Sequence, residues 1–273
     1  MKCQRLFLIL AIFLLSCSKD VKTFNKKKPI VEKIQRFQKD QNIKTKIPKQ
    51  NHLDLYPFEE ETACFFNITK EFFRCKGNPL NPERVDTSNP DNVKVYLDCV
   101  GPSKHGLPLI HEKENVYPIL IDVLNYIQRK TKKRVVITCG HRCPKHNSYA
   151  DTSNSAKTSK HMIGAEVDFY VQGLENSAEK IVDLIFDYYK EEVQYRGLND
   201  YLNFQKYQKQ TDVTTPPWHN KEIFVKIYKS SEGRDFNNRH PFSYISIQVL
   251  YDKISKQKVN YSWERANRGY LIH

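Results

Sequence analysis

The sequence predicts an α+β domain in which a mostly antiparallel sheet is flanked by helices. Two segments carry apolar residues at helical spacing, and several short segments are rich in β-branched residues. Along the chain they follow the order helix, strand, loop, strand, helix, strand, strand. That order favours a sheet with helices packed against it over an all-helical or all-β domain.

Two amphipathic helices are predicted, over residues 112–130 and 177–191. In the first, the apolar residues that recur at helical spacing are Val116, Ile119, Leu120, Val123, Leu124 and Ile127. In the second, they are Ile181, Leu184, Ile185 and Tyr188. Each helix therefore has one apolar face available to cover a sheet.

Five segments are predicted as strands and four as loops or insertions. Residues 135–138 and 167–171 read as buried strands, and residues 93–99 alternate between polar and apolar side chains. The remaining strands are predicted at 222–228 and 244–251. Polar or Pro/Asn-rich stretches predict loops at 78–92, 105–109, 194–213 and 229–243.

The N-terminus has the pattern of a cleaved export signal. Lys2 and Arg5 precede an apolar stretch from Leu6 to Leu15, which is too short to span a bilayer in a mature protein. The residues that follow resemble a bacterial lipobox, Leu-Leu-Ser-Cys, in which Cys17 is lipidated. We therefore expect residues 1–16 to be a lipoprotein signal peptide and the protein to be exported and lipid-anchored to the bacterial cell envelope.

The positive charge is concentrated just after this signal. The whole chain of 273 residues has a net charge of +13, and residues 19–50 hold eleven Lys or Arg against three acidic residues. We interpret residues 17–55 as a basic, solvated tether and residues 56–273 as the folded domain, with a core at about 93–252. The domain itself is only mildly basic, so nucleic acid is not an expected partner.

Five cysteines remain after the signal peptide and Cys17 are set aside. They are Cys64, Cys75, Cys99, Cys139 and Cys143. An oxidising compartment allows two disulfides and one leftover thiol. The short-loop pairings are Cys64–Cys75 and Cys139–Cys143, and Cys99 could replace a partner in either. No second cysteine pair with metal-site spacing follows Cys139 and Cys143, so disulfides are favoured over metal binding.

The candidate site lies between the two buried strands. Asp168 is a carboxylate inside an apolar run, and a buried charge is costly unless it is paired or bound to a cation. His161 precedes it by seven residues, and the turn at Gly164 would let the two side chains converge. Histidine and carboxylate are zinc ligands, and a catalytic zinc ion keeps one position open for water.

Two linked motifs surround this pair. The first is Thr-Cys-Gly-His-Arg-Cys-Pro-Lys-His-Asn at 138–147, and the second is Ser-Lys-His-Met-Ile-Gly-Ala-Glu-Val-Asp-Phe at 159–169. Both resemble the motifs of the zinc D-alanyl-D-alanine carboxypeptidase family, which shares its fold with the hedgehog signalling domain. The resemblance covers residues 112–190 well and 218–252 loosely.

The resemblance implies roles for individual residues. His161 and Asp168 match the first two zinc ligands, and Arg142 matches the arginine that engages the substrate. The family's third ligand, a histidine in the last strand, is replaced here by Ser246.

Two other histidines are candidates for the third ligand, His219 and His240, with His219 ranked first. Glu222 is the closest candidate for the general base, and His240 is an alternative base or transition-state donor. Glu166 stands where the family has a small residue, and it either adds an acidic group or pairs with a basic residue. His105, His111 and His141 have no spacing argument and are expected at the surface.

Together these features predict an exported zinc metallopeptidase. Its expected substrates are peptidoglycan stem peptides, cleaved in the manner of a D,D-carboxypeptidase or endopeptidase, and its lipid anchor makes the membrane a second partner. The alternative is a catalytically inactive member of the fold that binds cell wall or protein. The serine at position 246 supports that alternative.

Overall fold

The structure is a computed structural model, and it describes residues 43–45 and 66–272. The predicted signal peptide, Cys17 and Cys64 lie outside these residues, as does nearly all of the predicted tether. The described domain contains one large hydrophobic core and several smaller clusters.

Five α-helices lie within the described residues, in addition to short 3₁₀ turns. The helices are α1 Pro118–Thr131, α2 Pro144–Ala150, α3 Ala178–Glu191, α4 Asn199–Leu202 and α5 Trp263–Arg268. The strands are β1 Ile43–Thr45, β2 Arg84–Asp86, β3 Lys94–Tyr96, β4 His105–Ile110, β5 Lys113–Glu114, β6 Val135–Cys139, β7 Glu166–Val171, β8 Gln205–Lys206, β9 Trp218–His219, β10 Ile223–Tyr228, β11 Tyr244–Val249, β12 Tyr251–Asp252, β13 Gln257–Lys258 and β14 Tyr270–Ile272.

The main sheet has six strands, in the order β6-β7-β11-β10-β9-β8, and every neighbouring pair is antiparallel. Helices α1 and α3 pack side by side against one face of this sheet. The α+β class predicted from the sequence, with an antiparallel sheet flanked by helices, is confirmed.

Alternation along β7 gives the two faces of the sheet different chemistry. Val167, Phe169 and Val171 belong to the core beneath the helices. Because successive side chains of a strand point to opposite faces, Glu166 and Asp168 point away from the helices. The face without helices is therefore the polar one at this strand.

The strands and helices predicted at the centre of the chain agree closely with the structure. The start of α1 and the segments before it differ. Helix α1 begins at Pro118 instead of residue 112, because residues 113–114 form a strand that pairs back onto β4. The loop predicted at 105–109 is wrong, since this segment is β4, which pairs with the C-terminal strand β14. Of the strand predicted at 93–99, only β3 is formed, in a separate three-stranded sheet.

No helix among residues 66–272 combines the length and the apolar character needed to cross a bilayer.

Candidate metal centre

His161 lies in a 3₁₀ turn, Lys160–Ile163, directly before β7. The side chain of Ser159 accepts a hydrogen bond from the His161 backbone N–H and caps this turn. Gly164 ends it with a φ of +68°, a left-handed conformation that glycine adopts without strain. The chain then enters β7, so that the imidazole faces the polar side of that strand.

The two ring nitrogens of His161 have different surroundings. Nδ1 lies 2.7 Å from the carbonyl oxygen of Gly140 and donates to it. That hydrogen bond leaves the lone pair on Nε2, which lies 3.4 Å from Asp168 Oδ2 and 3.7 Å from Glu166 Oε2. A backbone carbonyl that fixes the tautomer in this way is the usual support of a metal-binding histidine.

These separations fit a shared zinc ion. Zn–N and Zn–O bonds of about 2.0–2.2 Å at a tetrahedral angle place two ligand atoms about 3.4 Å apart. Ligand atoms of Cys139, His161 and Asp168 all lie within 4.8 Å of one another, and Glu166, on the same face of β7 as Asp168, faces the same Nε2 of His161. Imidazole, carboxylate and thiolate are all zinc ligands, so His161 and Asp168 fit zinc with Cys139 or Glu166 as the third donor.

Each carboxylate is held by neighbours on its other side. The side-chain amide of Asn238 donates to Asp168 Oδ2 at 2.8 Å, and Asn238 itself accepts from Thr138 Oγ1 at 2.6 Å. Ser246 Oγ donates to Glu166 Oε1 at 2.9 Å. Strand register places Ser246 directly opposite Asp168, and its hydroxyl supports the neighbouring Glu166 carboxylate.

The electrostatics of the site favour a cation. Burial alone would lower the pKa of His161, but electrostatic interactions with Cys139, Glu166 and Asp168 outweigh it and raise that pKa well above its usual range. Burial works against ionisation of Asp168, yet the charge of His161 and its hydrogen bond lower the Asp168 pKa. The pocket thus stabilises positive charge at the point where Nε2 faces the two carboxylates.

Arg142 lies beside this site in a buried ion pair. Its Nη2 is 2.5 Å from Asp235 Oδ2, and both side chains are almost completely buried. Asp235, together with nearby charges, raises the Arg142 pKa well above its usual range against the effect of burial. Nε of Arg142 has no hydrogen-bond partner among residues 66–272. The guanidinium is therefore fixed by Asp235, and one of its buried donors has no partner within the described residues.

A cleft of about 550 Å³ opens over the site. Its lining includes His161, Glu166 and Arg142, together with Lys160 and Lys226. The lining also includes Asp151 and Asp212, so three acidic side chains, counting Glu166, balance the three basic ones around this concave, polar surface.

The structure does not bring His219 to this site. His219 is on β9, three strands from β7 in the sheet, and strands lie about 4.8 Å apart, which gives a separation of about 14 Å. Its ring is stacked on Phe224 of β10. Since zinc ligands lie about 2 Å from the ion, His219 and Asp168 do not share a cation in this arrangement.

Glu222 lies on the other side of the sheet. It accepts hydrogen bonds from Tyr189 Oη at 3.0 Å and Tyr195 Oη at 2.6 Å. Tyr189 belongs to α3, so the carboxylate faces the helices and lines a different pocket from His161. The expected role of Glu222 as a base at His161 has no support from this placement.

His240 is buried on the polar face of the sheet, where its ring lies 5.1 Å from that of Tyr170. Burial and the charge of Arg234 lower its pKa to about 3, so the ring is neutral at pH 7. His240 does not line the cleft over His161. Its predicted role as ligand or base stays a prediction.

The predicted disulfide between Cys139 and Cys143 is not formed. Cys139 ends β6 and its Sγ lies 3.3 Å from His161 Nδ1, whereas Cys143 caps α2. The turn between them directs the Cys139 thiol towards His161 and the Cys143 thiol towards Cys75 and Cys99. All four cysteines within residues 66–272 are free and buried. Cys64, the other predicted partner of Cys75, lies outside the described residues.

Two histidines expected at the surface are buried. His141 is 1% exposed, and His105 is 7% exposed at the start of β4. Only His111 fits the expectation, since it is partly exposed and lies 3.0 Å from Asp252 Oδ2. The sequence offered no periodic signal for the first two, because both are buried by contacts with distant segments.

Sequence reasoning also missed the residues that support the site. Asn238 and Asp235 lie in the connection 229–243, which the sequence predicts only as a loop. Their signal was present only as an unusual density of charged and amide side chains in a loop that follows a strand.

Residues 99–202 match the protein-family model described as Peptidase M15. That range includes α1, β6, β7 and α3, together with His161, Glu166, Asp168 and Arg142. No curated protein and no solved structure matches the chain. The family match supports a relationship to peptidases over this range, and the helices and antiparallel sheet of the structure are consistent with it.

Proposed function

We propose that the protein is a zinc-dependent peptidase that acts on peptidoglycan stem peptides. The observation that carries this proposal is the convergence of His161 Nε2 with the carboxylates of Asp168 and Glu166 beneath a polar cleft. The match to Peptidase M15 over residues 99–202 supports the same reaction class. Zinc would be held by His161, Asp168 and Glu166.

When bound there, zinc would supply an acidified water and would polarise a carbonyl group. The residues of the chain do the remaining work. Gly140 fixes the His161 tautomer, and Asn238 and Ser246 orient the two carboxylates. Arg142 would donate to the terminal carboxylate or the carbonyl of the peptide, because Asp235 holds its guanidinium in place.

The setting of this activity is part of the proposal. A lipobox at Cys17 and a basic segment behind it would place the domain at the outer side of a bacterial membrane, close to the cell wall. Stem peptides end in a carboxylate, for which Arg142 and Lys160 offer positive charge in the lining of the cleft. With that substrate, the proposed reaction is release of the terminal residue, as in a D,D-carboxypeptidase, or cleavage of a cross-link, as in an endopeptidase.

The test is hydrolysis of a purified pentapeptide muropeptide by the zinc-loaded chain, followed by mass spectrometry. Wild type should release the terminal residue or cleave a cross-link, and His161→Ala should lose this activity by at least two orders of magnitude. His111→Ala is the matched control, because His111 is partly exposed and pairs with Asp252. Normal turnover by the His161→Ala variant would refute the mechanism.

A second function is favoured by one observation. Ser246 stands opposite Asp168, where the resembled family has a histidine ligand. If the protein binds stem peptides without cleaving them, the His161→Ala variant should bind the muropeptide with wild-type affinity. Neither wild type nor His161→Ala should then form product. Product formation by wild type excludes this reading.

A further inference from the structure

Four metal-binding side chains converge outside the site already described. We define the thiol cluster as Cys75, Cys99, His105 and Cys143, whose ligand atoms all lie within 4.8 Å of one another. All four side chains are buried. They come from four different segments, which are the turn after residues 70–73, the loop after β3, the start of β4 and the start of α2.

The distances within the thiol cluster fit a shared ion better than a disulfide. The sulfurs of Cys75 and Cys99 are 3.9 Å apart, and Cys99 Sγ is 3.6 Å from His105 Nε2. A tetrahedral zinc ion, with Zn–S of about 2.3 Å and Zn–N of about 2.0–2.1 Å, separates two sulfurs by about 3.8 Å and a sulfur from a nitrogen by about 3.5 Å. A disulfide instead needs about 2.05 Å between the sulfurs.

The surroundings of the cluster are those of a built site. Backbone N–H groups donate to two of the sulfurs, from Gly101 to Cys99 and from His146 to Cys143, both at 3.4 Å. A side chain at Gly77 would place its Cβ 2.0 Å from Cys99 Sγ, so only glycine leaves room for that thiol. His105 keeps Nε2 for the cluster, while its buried Nδ1 has no hydrogen-bond partner among residues 66–272.

We propose that the thiol cluster binds a second zinc ion with a structural role, separate from the centre at His161. Three cysteines and one histidine form a closed tetrahedral set with no position left for water, which is the composition of structural zinc sites. Soft thiolate donors exclude magnesium and calcium. On binding, the three thiols lose their protons to solvent as the ion enters.

The position of the cluster explains what this ion would do. Cys143 directly follows Arg142, and the chain around Cys75 docks on the same loop through the Phe73 carbonyl, which accepts from the His141 N–H at 2.6 Å. Gly140 permits this docking, because a Cβ there would lie 2.6 Å from the Phe73 backbone. The ion would therefore tie the loop that carries Arg142 to the segments before and after β3.

The experiment counts zinc in the full chain by mass spectrometry after dialysis against a weak chelator. Wild type should retain two zinc ions per chain, His161→Ala should retain one, and His161→Ala combined with Cys99→Ser should retain none. Cys139→Ser, added to His161→Ala, is the matched control: it removes a buried thiol outside the cluster and should leave that one ion bound.

A second measurement does not depend on folding of the Cys99→Ser variant. In the His161→Ala chain, a mercurial reagent that blocks thiols should release the remaining ion in proportion to thiol modification. Alkylation of denatured, unreduced wild type should label Cys75, Cys99, Cys139 and Cys143. Absence of zinc from the His161→Ala chain, or a mass that shows a disulfide within the cluster, would overturn the proposal.

The outcomes also separate the two zinc sites. A chain with one ion that survives His161→Ala supports the thiol cluster and counts against the proposed peptidase centre. A chain with one ion that is lost in His161→Ala supports the proposed peptidase centre and counts against the thiol cluster.

Discussion

Glu166 is the second carboxylate that faces His161 in the candidate centre. It lies two residues before Asp168 on the same face of β7, and its Oε1 accepts from Ser246 and from Gln248 at 2.8 Å. Those two donors leave Oε2 to face His161. Two side chains of β11 therefore orient the Glu166 carboxylate towards the His161 imidazole.

We expect Glu166→Gln to weaken zinc binding at His161 by about 10- to 100-fold, because a neutral amide is a poor replacement for a carboxylate ligand. The measurement is zinc content per chain under a competing chelator, with muropeptide hydrolysis followed in parallel. Zinc at the thiol cluster should remain, so the content falls from two ions to one.

Glu264→Gln serves as the control, since Glu264 is exposed on α5. If the Glu166→Gln chain keeps both ions and loses only hydrolysis, Glu166 acts as the general base and not as a ligand.

At the level of secondary-structure elements, the Arg142–Asp235 ion pair connects two loops. The turn between β6 and α2 supplies Arg142, and the connection between β10 and β11 supplies Asp235, whose Oδ1 also accepts from the backbone N–H groups of Asn237 and Asn238. One carboxylate thus fixes both Arg142 and Asn238, the asparagine that donates to Asp168.

We expect Asp235→Ala to lower the free energy of unfolding by about 3–5 kcal/mol, because it leaves the Arg142 charge buried without its partner. Chemical denaturation of the zinc-loaded chain measures this. Asp200→Ala is the matched control, since Asp200 pairs with Lys221 at the surface and such pairs contribute little. Equal losses from the two variants would show that Arg142 is not held by Asp235.

The elements that the sequence predicted well are those whose signal is local. Periodic apolar residues identify α1 and α3, and β-branched runs identify β6 and β7, since each pattern reports one buried face. The pairing of β4 with β14 joins residues far apart in the chain, and no local pattern marks it. The same reason explains why His161 and Asp168 were found, whereas Asn238 and the partners of Cys143 were not.

At the scale of the whole molecule, ionisable groups on the two faces of the main sheet act on stability in opposite directions. On the polar face, His161 lowers the Asp168 pKa against the effect of burial. On the helix face, burial raises the Glu222 pKa, although Tyr195 and Tyr189 donate hydrogen bonds to it. The raised pKa means that the folded state binds a proton at Glu222 more tightly than the unfolded chain does.

The Glu222 contribution therefore stabilises the fold below the unfolded pKa of about 4.3 and is lost as the pH rises through the higher folded value. Glu222→Gln mimics the protonated form. We expect this variant to be more stable than wild type at pH 7.5, and the difference should shrink as the pH falls towards 4.5. Urea midpoints across that range measure it, with Glu179→Gln, an exposed position on α3, as a control with a constant difference.

The same variant tests the role that the sequence first suggested for Glu222. Because its carboxylate faces α3 and lies on the opposite side of the sheet from Asp168, we expect Glu222→Gln to hydrolyse muropeptides at a rate close to that of wild type. A loss of two or more orders of magnitude in kcat, with zinc content unchanged, would restore Glu222 as the general base. Lower stability than wild type at pH 7.5 would instead show that the hydrogen bonds from the two tyrosines outweigh the cost of burying the charge.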